Sequence, residues 1–182
     1  MIELLKNPSV SAFVGAFSAF MLVVVADWFR RGNDKNLLSC LISDTADHAR
    51  KKIESVQINL NDLNNNGRLS KAAFMPFKTS HIDHVLLKVL TRLSANEKQA
   101  ADAIVYWAEA TDNQLDELAE TAWSAIQQLK ETGKGPEVEA ILSEYRSEAK
   151  LAIRNMEIII QYCESYVSGR PHEVVESYNV SE

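Results

Sequence analysis

The sequence is poor in residues that break helices or cross-link chains, with six glycines, four prolines and two cysteines among 182 residues. So few turn-forming residues exclude a fold of many short strands and favour a few long elements. The two cysteines, Cys40 and Cys163, lie far apart and match no zinc or redox spacing. We expect free thiols in a reducing compartment, and a single disulfide is the alternative.

Sequence motifs for catalysis and cofactor binding are also missing. No glycine-rich phosphate loop, nucleophile elbow or zinc-finger spacing occurs, which argues against a nucleotide-dependent enzyme. His81 and His84 share a helix face but lack a Glu-x-x-His companion, and Cys40 lies two turns from His48 and is not paired with it. We therefore predict no catalytic residue, no metal ligand and no cofactor, and we expect the protein not to be an enzyme.

Lysine and arginine are absent between Lys98 and Lys130, a segment that carries six acidic residues. The segment from Arg50 to Arg92 has the opposite balance, with eight basic residues against three acidic ones. We predict that the two segments pack side by side, because opposite charges complement each other. The alternative is a basic face for nucleic acid or anionic lipid. The net charge of −6 and the lack of interleaved aromatic and basic residues argue against nucleic acid as a partner.

One long uncharged run stands out at Val10–Ala26, VSAFVGAFSAFMLVVVA, which has 17 residues. Together with Trp28 and Phe29 it is long enough, at about 30 Å of helix, to cross a lipid bilayer. We therefore predict an N-terminal single transmembrane helix, with residues 1–31 as a membrane anchor. The basic residues that follow at Arg30, Arg31 and Lys35 place the C-terminal domain in the cytoplasm and the protein in the cell (inner) membrane.

Two alternatives to this anchor stay open. Residues 1–26 fit a cleaved signal peptide, because small residues precede a possible cleavage site at Ala26. A buried core helix is the other alternative. If the run does span a bilayer, Ser11, Gly15 and Ala19 form a stripe of small residues through which two such helices can pair.

The rest of the chain carries helical periodicity. Gly32-Asn33 is a plausible helix break, and the region 34–168 is predicted to form an antiparallel bundle of three long helices and one short helix. The first and last long helices have coiled-coil-like apolar seams. These seams are Ile42, Ala46, Ala49, Ile53, Val56, Leu60 and Leu63, and then Val138, Leu142, Tyr145, Ala149, Ala152, Met156, Ile159, Cys163 and Tyr166.

The predicted fold class is therefore all-α. Trp107 and Trp123, on the middle long helix, are interpreted as core residues whose N–H groups lie at the rim. Gly169 and Pro171 end the last long helix, and we expect residues 169–182 to form a frayed polar tail.

The stretch Asp62–Ala73, DLNNNGRLSKAA, resembles the first half of an EF-hand loop. Asp62, Asn64, Asn66 and Gly67 match positions 1, 3, 5 and 6 of such a loop. Position 12 is Ala73, however, so the bidentate carboxylate that closes the calcium shell is absent. We interpret the stretch as the end of a helix, because asparagine and glycine adopt the left-handed backbone found there.

These features together suggest an interaction protein. The leading hypothesis is a membrane-anchored helical module, a scaffold or accessory protein that binds the lipid bilayer and forms a homo-oligomer or binds a partner protein through its helical seams. The alternative is a membrane-active effector or toxin whose bundle controls the association of the transmembrane spans.

Overall fold

The computed structural model describes residues 8–69, 74–133 and 135–181, without the side chains at 8–19, 26–31, 132 and 179–181. All regular structure within these residues is helical, which confirms the all-α class. The elements are α1 (Pro8–Asn66), α2 (Thr79–Val89) with a following 3₁₀ turn (Leu90–Arg92), α3 (Ala95–Thr132), α4 (Pro136–Val167) and α5 (Pro171–Ser181).

The chain divides into two compact units, Met1–Leu37 and Leu38–Glu182. The described residues of the first unit all belong to α1, which continues through the predicted break at Gly32 and Asn33. Glycine inside a helix costs only about 1 kcal/mol relative to alanine, so one glycine does not end a helix on its own. The second unit holds the rest of α1 and the other helices, and it contains a hydrophobic core.

The predicted membrane anchor at residues 1–31 is not supported, and the predicted cell-membrane location with a cytoplasmic C-terminal domain is wrong. Among the described residues, the helices include none with the length and apolar character needed to cross a bilayer. The described side chains of the predicted span are the six from Phe20 to Val25. The side chains at 10–19 and 26 lie outside the described residues.

The core of the second unit is built from the predicted seams. Every seam residue of α1 is buried except Ile53, and every seam residue of α4 is buried except Leu142. On α3 one apolar face is buried in the same core, and it consists of Ile104, Ala108, Leu115, Leu118 and Ala122. Small residues such as Ala49 and Ala152 lie among them, which lets the helix backbones pack closely.

Side-chain pairs define how the long helices of this unit run. Between α1 and α4, Arg50 pairs with Glu164 while Asn64 pairs with Arg146, so the two helices are antiparallel. Between α3 and α4, Gln114 pairs with Asn155 while Gln128 pairs with Glu137, which gives the same relation. Helices α1 and α3 therefore run in the same direction, and the segment containing α2 leads back from the end of one to the start of the other.

The C-terminal residues differ from the predicted frayed tail of residues 169–182. They form α5, which begins at Pro171 and buries Val174 to 1% exposure. Gly169, with φ of +74°, turns the chain after α4. Glu173 then accepts a hydrogen bond from the hydroxyl of Ser165 at 3.1 Å and pairs with Arg170 at 2.9 Å. The scattered valines of this segment belong to an amphipathic helix that packs on the core.

Helix α1 ends at Asn66, and the next residue, Gly67, has a φ of +60°, which lies in the left-handed region. Its N–H donates to the carbonyl of Leu63 at 3.0 Å, as in a glycine-terminated helix. A Cβ at this position would meet nothing within 4 Å. Any cost of a side chain here is therefore the cost of the backbone conformation alone.

We predict that Gly67→Ala lowers the free energy of unfolding by about 1–2 kcal/mol, the cost of the left-handed conformation for an L-residue. Urea unfolding of the full chain, followed by circular dichroism, measures this change. Gly67→Asn should cost less, because asparagine tolerates the conformation. Gly32→Ala is the control and should not destabilise, since Gly32 lies inside α1 with open space around it. Equal effects of Gly67→Ala and Gly32→Ala would contradict the assignment.

Candidate functional site

The EF-hand-like residues lie on the last turns of α1 and do not converge. Asn66 donates from Nδ2 to Oδ1 of Asp62 at 3.4 Å, one helical turn away. Asn64 accepts at Oδ1 from Nε of Arg146 at 3.2 Å, on the α4 side. Asp62 and Asn66 share one face of the helix, because they lie one turn apart. Asn64 lies on nearly the opposite face, because it is two residues from each of them. Residues 62–66 are thus helical where an EF-hand would need a loop.

The histidines and cysteines lie apart from one another or in inert surroundings. Within the part of the chain that the structure describes, no three His, Cys, Asp or Glu side chains come together in a way that could hold a metal ion. His84 is exposed on α2, and Cys40 is an exposed free thiol. Cys163 is buried, and burial raises the pKa of its thiol to about 12. A thiol with so high a pKa is a poor nucleophile at neutral pH.

The main polar feature of the bundle interior joins α1, α3 and the segment before α2. Lys52 is 4% exposed, and its Nζ lies 2.5 Å from Oδ1 of Asp112. The other carboxylate oxygen of Asp112 accepts the backbone N–H of Phe77 at 2.7 Å. The ammonium also lies 3.9 Å from the ring centroid of Phe77, in cation–π contact. We call Lys52, Asp112 and Phe77 the polar centre.

Two opposed effects act on the pKa of Lys52. Burial lowers the pKa of Lys52, because a desolvated ammonium is disfavoured, and the hydrogen bond with Asp112 and its negative charge raise it. Lys52 comes from the basic segment and Asp112 from the acidic one, so at this point the two segments lie side by side. The carboxylate of the polar centre pairs with a backbone N–H as well as with a charge. A buried network of this kind is destabilising when one of its partners is missing.

Sequence reasoning missed the polar centre, although a signal for it exists. Thr45, Lys52 and Asn59 recur every seven residues on α1, and all three are buried. They lie beside the apolar seam on the same side of the helix. A polar residue at a repeated core position is a known way to fix helix register at a cost in stability. The sequence could have shown this heptad of polar residues, but it could not show that Asp112 is the partner.

His48 packs next to the polar centre. Its ring meets that of Phe77 edge-on, with centroids 5.4 Å apart and planes at 69°. Burial lowers the pKa of His48, and the positive charges of Lys52, Lys78 and Lys51 lower it further, while Asp112 acts in the opposite direction. His48 and His81 also line an open cavity of about 400 Å³ at this side of the bundle. These surroundings favour the neutral form of the His48 imidazole.

The described residues also line other cavities. One of about 440 Å³ lies where the end of α1 meets α3 and α4, and its lining is mostly apolar. Another of about 340 Å³ lies among α3, α4 and α5 and includes Trp107. The indole Nε1 of Trp107 is buried and has no hydrogen-bond partner within the described residues.

A continuous exposed apolar feature lies on the described part of the first unit. Six consecutive side chains of α1 are between 44% and 70% exposed, which is unusual for a folded chain. We call them the apolar segment, and they are Phe20, Met21, Leu22, Val23, Val24 and Val25. They carry no polar atom in their side chains, so they can take part in apolar contacts alone.

We predict that removing one member of the buried ion pair is worse than removing both. Asp112→Leu leaves the nearly inaccessible Lys52 charge and the Phe77 N–H unpaired, and should cost about 3–5 kcal/mol of unfolding free energy. Lys52→Met leaves Asp112, which is 18% exposed and can reach water, and should cost less. The double variant Lys52→Met with Asp112→Leu should recover part of the loss. Urea unfolding provides the measurement.

Arg50→Met is the matched control for this prediction. Arg50 pairs with Glu164 at the surface, where its side chain is 47% exposed, so the change should cost under about 1 kcal/mol. If Asp112→Leu were no more harmful than Arg50→Met, the polar centre would not be a stabilising constraint.

Because its pKa is lowered on folding, His48 should make the protein less stable in mild acid. The unfolded state takes up a proton near pH 6.5, whereas the folded state does so only at lower pH. Stability is therefore full above about pH 6.5 and falls as the pH drops towards the folded pKa. His48→Gln should reduce this loss between pH 7.5 and 5.5, measured by urea unfolding at both values. His84→Gln, on an exposed side chain, is the control, and an equal effect of the two changes would contradict the prediction.

Comparison with known proteins adds no further assignment. The chain matches no protein-family model, no curated protein and no solved structure.

Proposed function

We propose that the protein is a helical interaction module that assembles with copies of itself through the apolar segment, Phe20–Val25. The observation that supports this proposal is the exposure of all six side chains of the segment. Apolar surface of this extent marks an interaction site in a folded protein, because its burial is favourable by about 25 cal/mol per Å². The bundle in the second unit would then be the part that each copy displays.

The arrangement of the segment favours an assembly of more than two helices. Successive residues of a helix are turned by about 100°, so six in a row cover its whole circumference. A dimeric coiled coil would cover a single stripe and leave the others in water. Leu22 and Val23, the two most exposed residues at 70% and 67%, are about 100° apart and cannot both lie on one narrow seam. A cluster of three or more helices accounts better for this pattern.

The seams first considered for intermolecular contact are used within the chain. The seam residues of α1 and α4 are buried, as Ile42 and Met156 are at 0% exposure, except for the half-buried Ile53 and Leu142. They could reach a partner only if the bundle opened. The apolar segment needs no such opening, since its side chains are exposed in the folded chain.

A second copy is the favoured occupant because the segment is uniform and uncharged. A partner of different chemistry would be selected by charge or hydrogen bonding, and none of the six side chains offers either. Identical segments complement one another in length and in apolar character, as is usual in symmetric homo-oligomers. The preceding sequence also has small residues at Ser11, Gly15 and Ala19, which would allow close helix approach.

The proposal includes no catalytic activity. It is supported by the surroundings of the reactive side chains, since Cys163 is buried with a raised pKa and His48 faces Phe77 and Lys52. The alternative of a membrane-active effector depended on association of membrane-spanning helices. That anchor is unsupported among the described residues, so this alternative loses its basis.

The proposal predicts that the full chain sediments as a trimer or larger in the absence of detergent. Replacing two neighbouring apolar side chains by charges, as in Leu22→Glu with Val23→Glu, should weaken assembly at least tenfold, because like charges would be buried together. Sedimentation equilibrium between about 1 and 100 µM measures the change. Circular dichroism confirms that the variant stays helical.

Leu87→Glu provides a matched control. Leu87 is as exposed as Leu22, at 72%, but lies on α2 in the second unit, so this change should leave the sedimentation unchanged. A wild-type chain that stays monomeric at 100 µM would contradict the proposal. So would flotation of the monomer with phosphatidylcholine vesicles, because the segment would then have a different occupant.

A further inference from the structure

The cavity of about 440 Å³ at the end of the bundle has the form of a small-molecule site. Its size lies within the range of about 300–1,000 Å³ that is usual for such sites. Apolar side chains from three helices and the residues after α1 make up most of its lining. They are Leu63, Leu69, Ala125, Ile126, Leu129 and Leu142.

The lining changes from buried to exposed along the cavity. Leu63 and Ala125 are 3% and 2% exposed and belong to its inner part, whereas Leu129 is 39% exposed and lies at the mouth. Ile126 and Leu129 continue the apolar positions of α3 beyond Ala122, where the α3 core residues are still fully covered. The apolar positions of α3 thus continue past the buried residue Ala122, and apolar surface is left facing the cavity.

Three charged side chains also line this cavity. Arg68 and Lys130 are exposed, and neither side chain forms an ion pair or hydrogen bond within the described residues. Asp62 brings the one carboxylate, and it accepts a hydrogen bond from Asn66 at 3.4 Å. Two cations against one anion leave the mouth of the cavity positive.

We propose that this cavity binds a single-chain amphipathic anion, of which a medium-chain alkyl carboxylate is the simplest example. The alkyl chain would lie against the leucines and Ile126, and the carboxylate would lie at the mouth near Arg68 and Lys130. Arginine suits this role because its planar guanidinium can hold both oxygens of a carboxylate, and lysine adds a second positive charge. Asp62 opposes binding through like-charge repulsion.

This assignment gives each part of the ligand a separate test. Each methylene that enters the apolar part should raise the affinity about fourfold, the usual effect of burying one CH₂. Each exposed cation should contribute about two- to fivefold, as for an ion pair in contact with water. Removal of the Asp62 charge should strengthen binding by a similar factor. The site is independent of the apolar segment, so its test does not depend on the state of assembly.

The experiment is isothermal titration calorimetry of the full chain, without detergent, with hexanoate, octanoate and octanol. We expect saturable binding with one site per chain, octanoate tighter than hexanoate by about sixteenfold, and octanol weaker than octanoate. Arg68→Gln and Lys130→Gln should weaken octanoate binding about two- to fivefold each, and Asp62→Asn should strengthen it. Leu129→Gln should weaken both octanoate and octanol binding, because it changes the apolar mouth.

Two control variants lie on α2, whose residues do not line this cavity. Lys88→Gln matches the charge changes and Leu87→Gln matches the change of an exposed leucine, and both should bind octanoate as the wild type does. Folding of every variant is checked by its circular dichroism and urea midpoint. Non-saturable heat, equal affinity for octanol and octanoate, or an unchanged affinity in the Arg68→Gln and Lys130→Gln double variant would each overturn the proposal.

Discussion

The buried charge of Lys52 is the constraint on which the arrangement of the bundle depends. An ammonium that is 4% exposed is stable only next to its partner, so α1 and α3 must meet with Lys52 beside Asp112. The same carboxylate takes the N–H of Phe77, which fixes the segment before α2 to the pair. A slide of either helix by one turn would leave a charge and a backbone donor unpaired. Apolar seams tolerate such slides more easily, because one leucine can replace another.

The polar heptad of Thr45, Lys52 and Asn59 extends this constraint along α1. The hydroxyl of Thr45 is satisfied within the helix by the carbonyl of Leu41 at 2.9 Å, so it costs little to bury. Lys52 reaches across to another helix, and it can discriminate between registers in a way that Thr45 cannot. The bundle thus combines an apolar surface, which supplies most of the free energy of folding, with the buried Lys52–Asp112 contact, which selects a single alignment.

Periodicity in the sequence predicted most of the helices and most of the core, because a 3.6-residue repeat directly reflects which face is buried. The prediction failed where a residue that usually ends a helix lies among residues that favour one. Gly32 did not end α1, and the polar residues after Gly169 did not prevent α5, which Val174 anchors. Trp123, predicted to be a core residue, is 43% exposed, since residue type alone does not say which face of α3 it occupies. The partner of Lys52 and the cavity near Leu129 depend on contacts between distant parts of the chain, and these have no counterpart in a linear pattern.

Because α1 and α3 run in the same direction, the helices differ in how easily they come together during folding. Helix α3 ends at Thr132 and α4 begins at Pro136, so this hairpin closes a very short loop and loses little chain entropy. By contrast, the contacts that hold α1 join residues 60 and 114 positions apart. The segment that connects α1 to α3 must also run back along the bundle. Loop-closure entropy therefore favours an order in which α3 and α4 form a template and α1 docks last. Helix α1, which carries the apolar segment, is then the last helix to be fixed in place. Its part in the second unit packs on a surface that α3 and α4 have already formed.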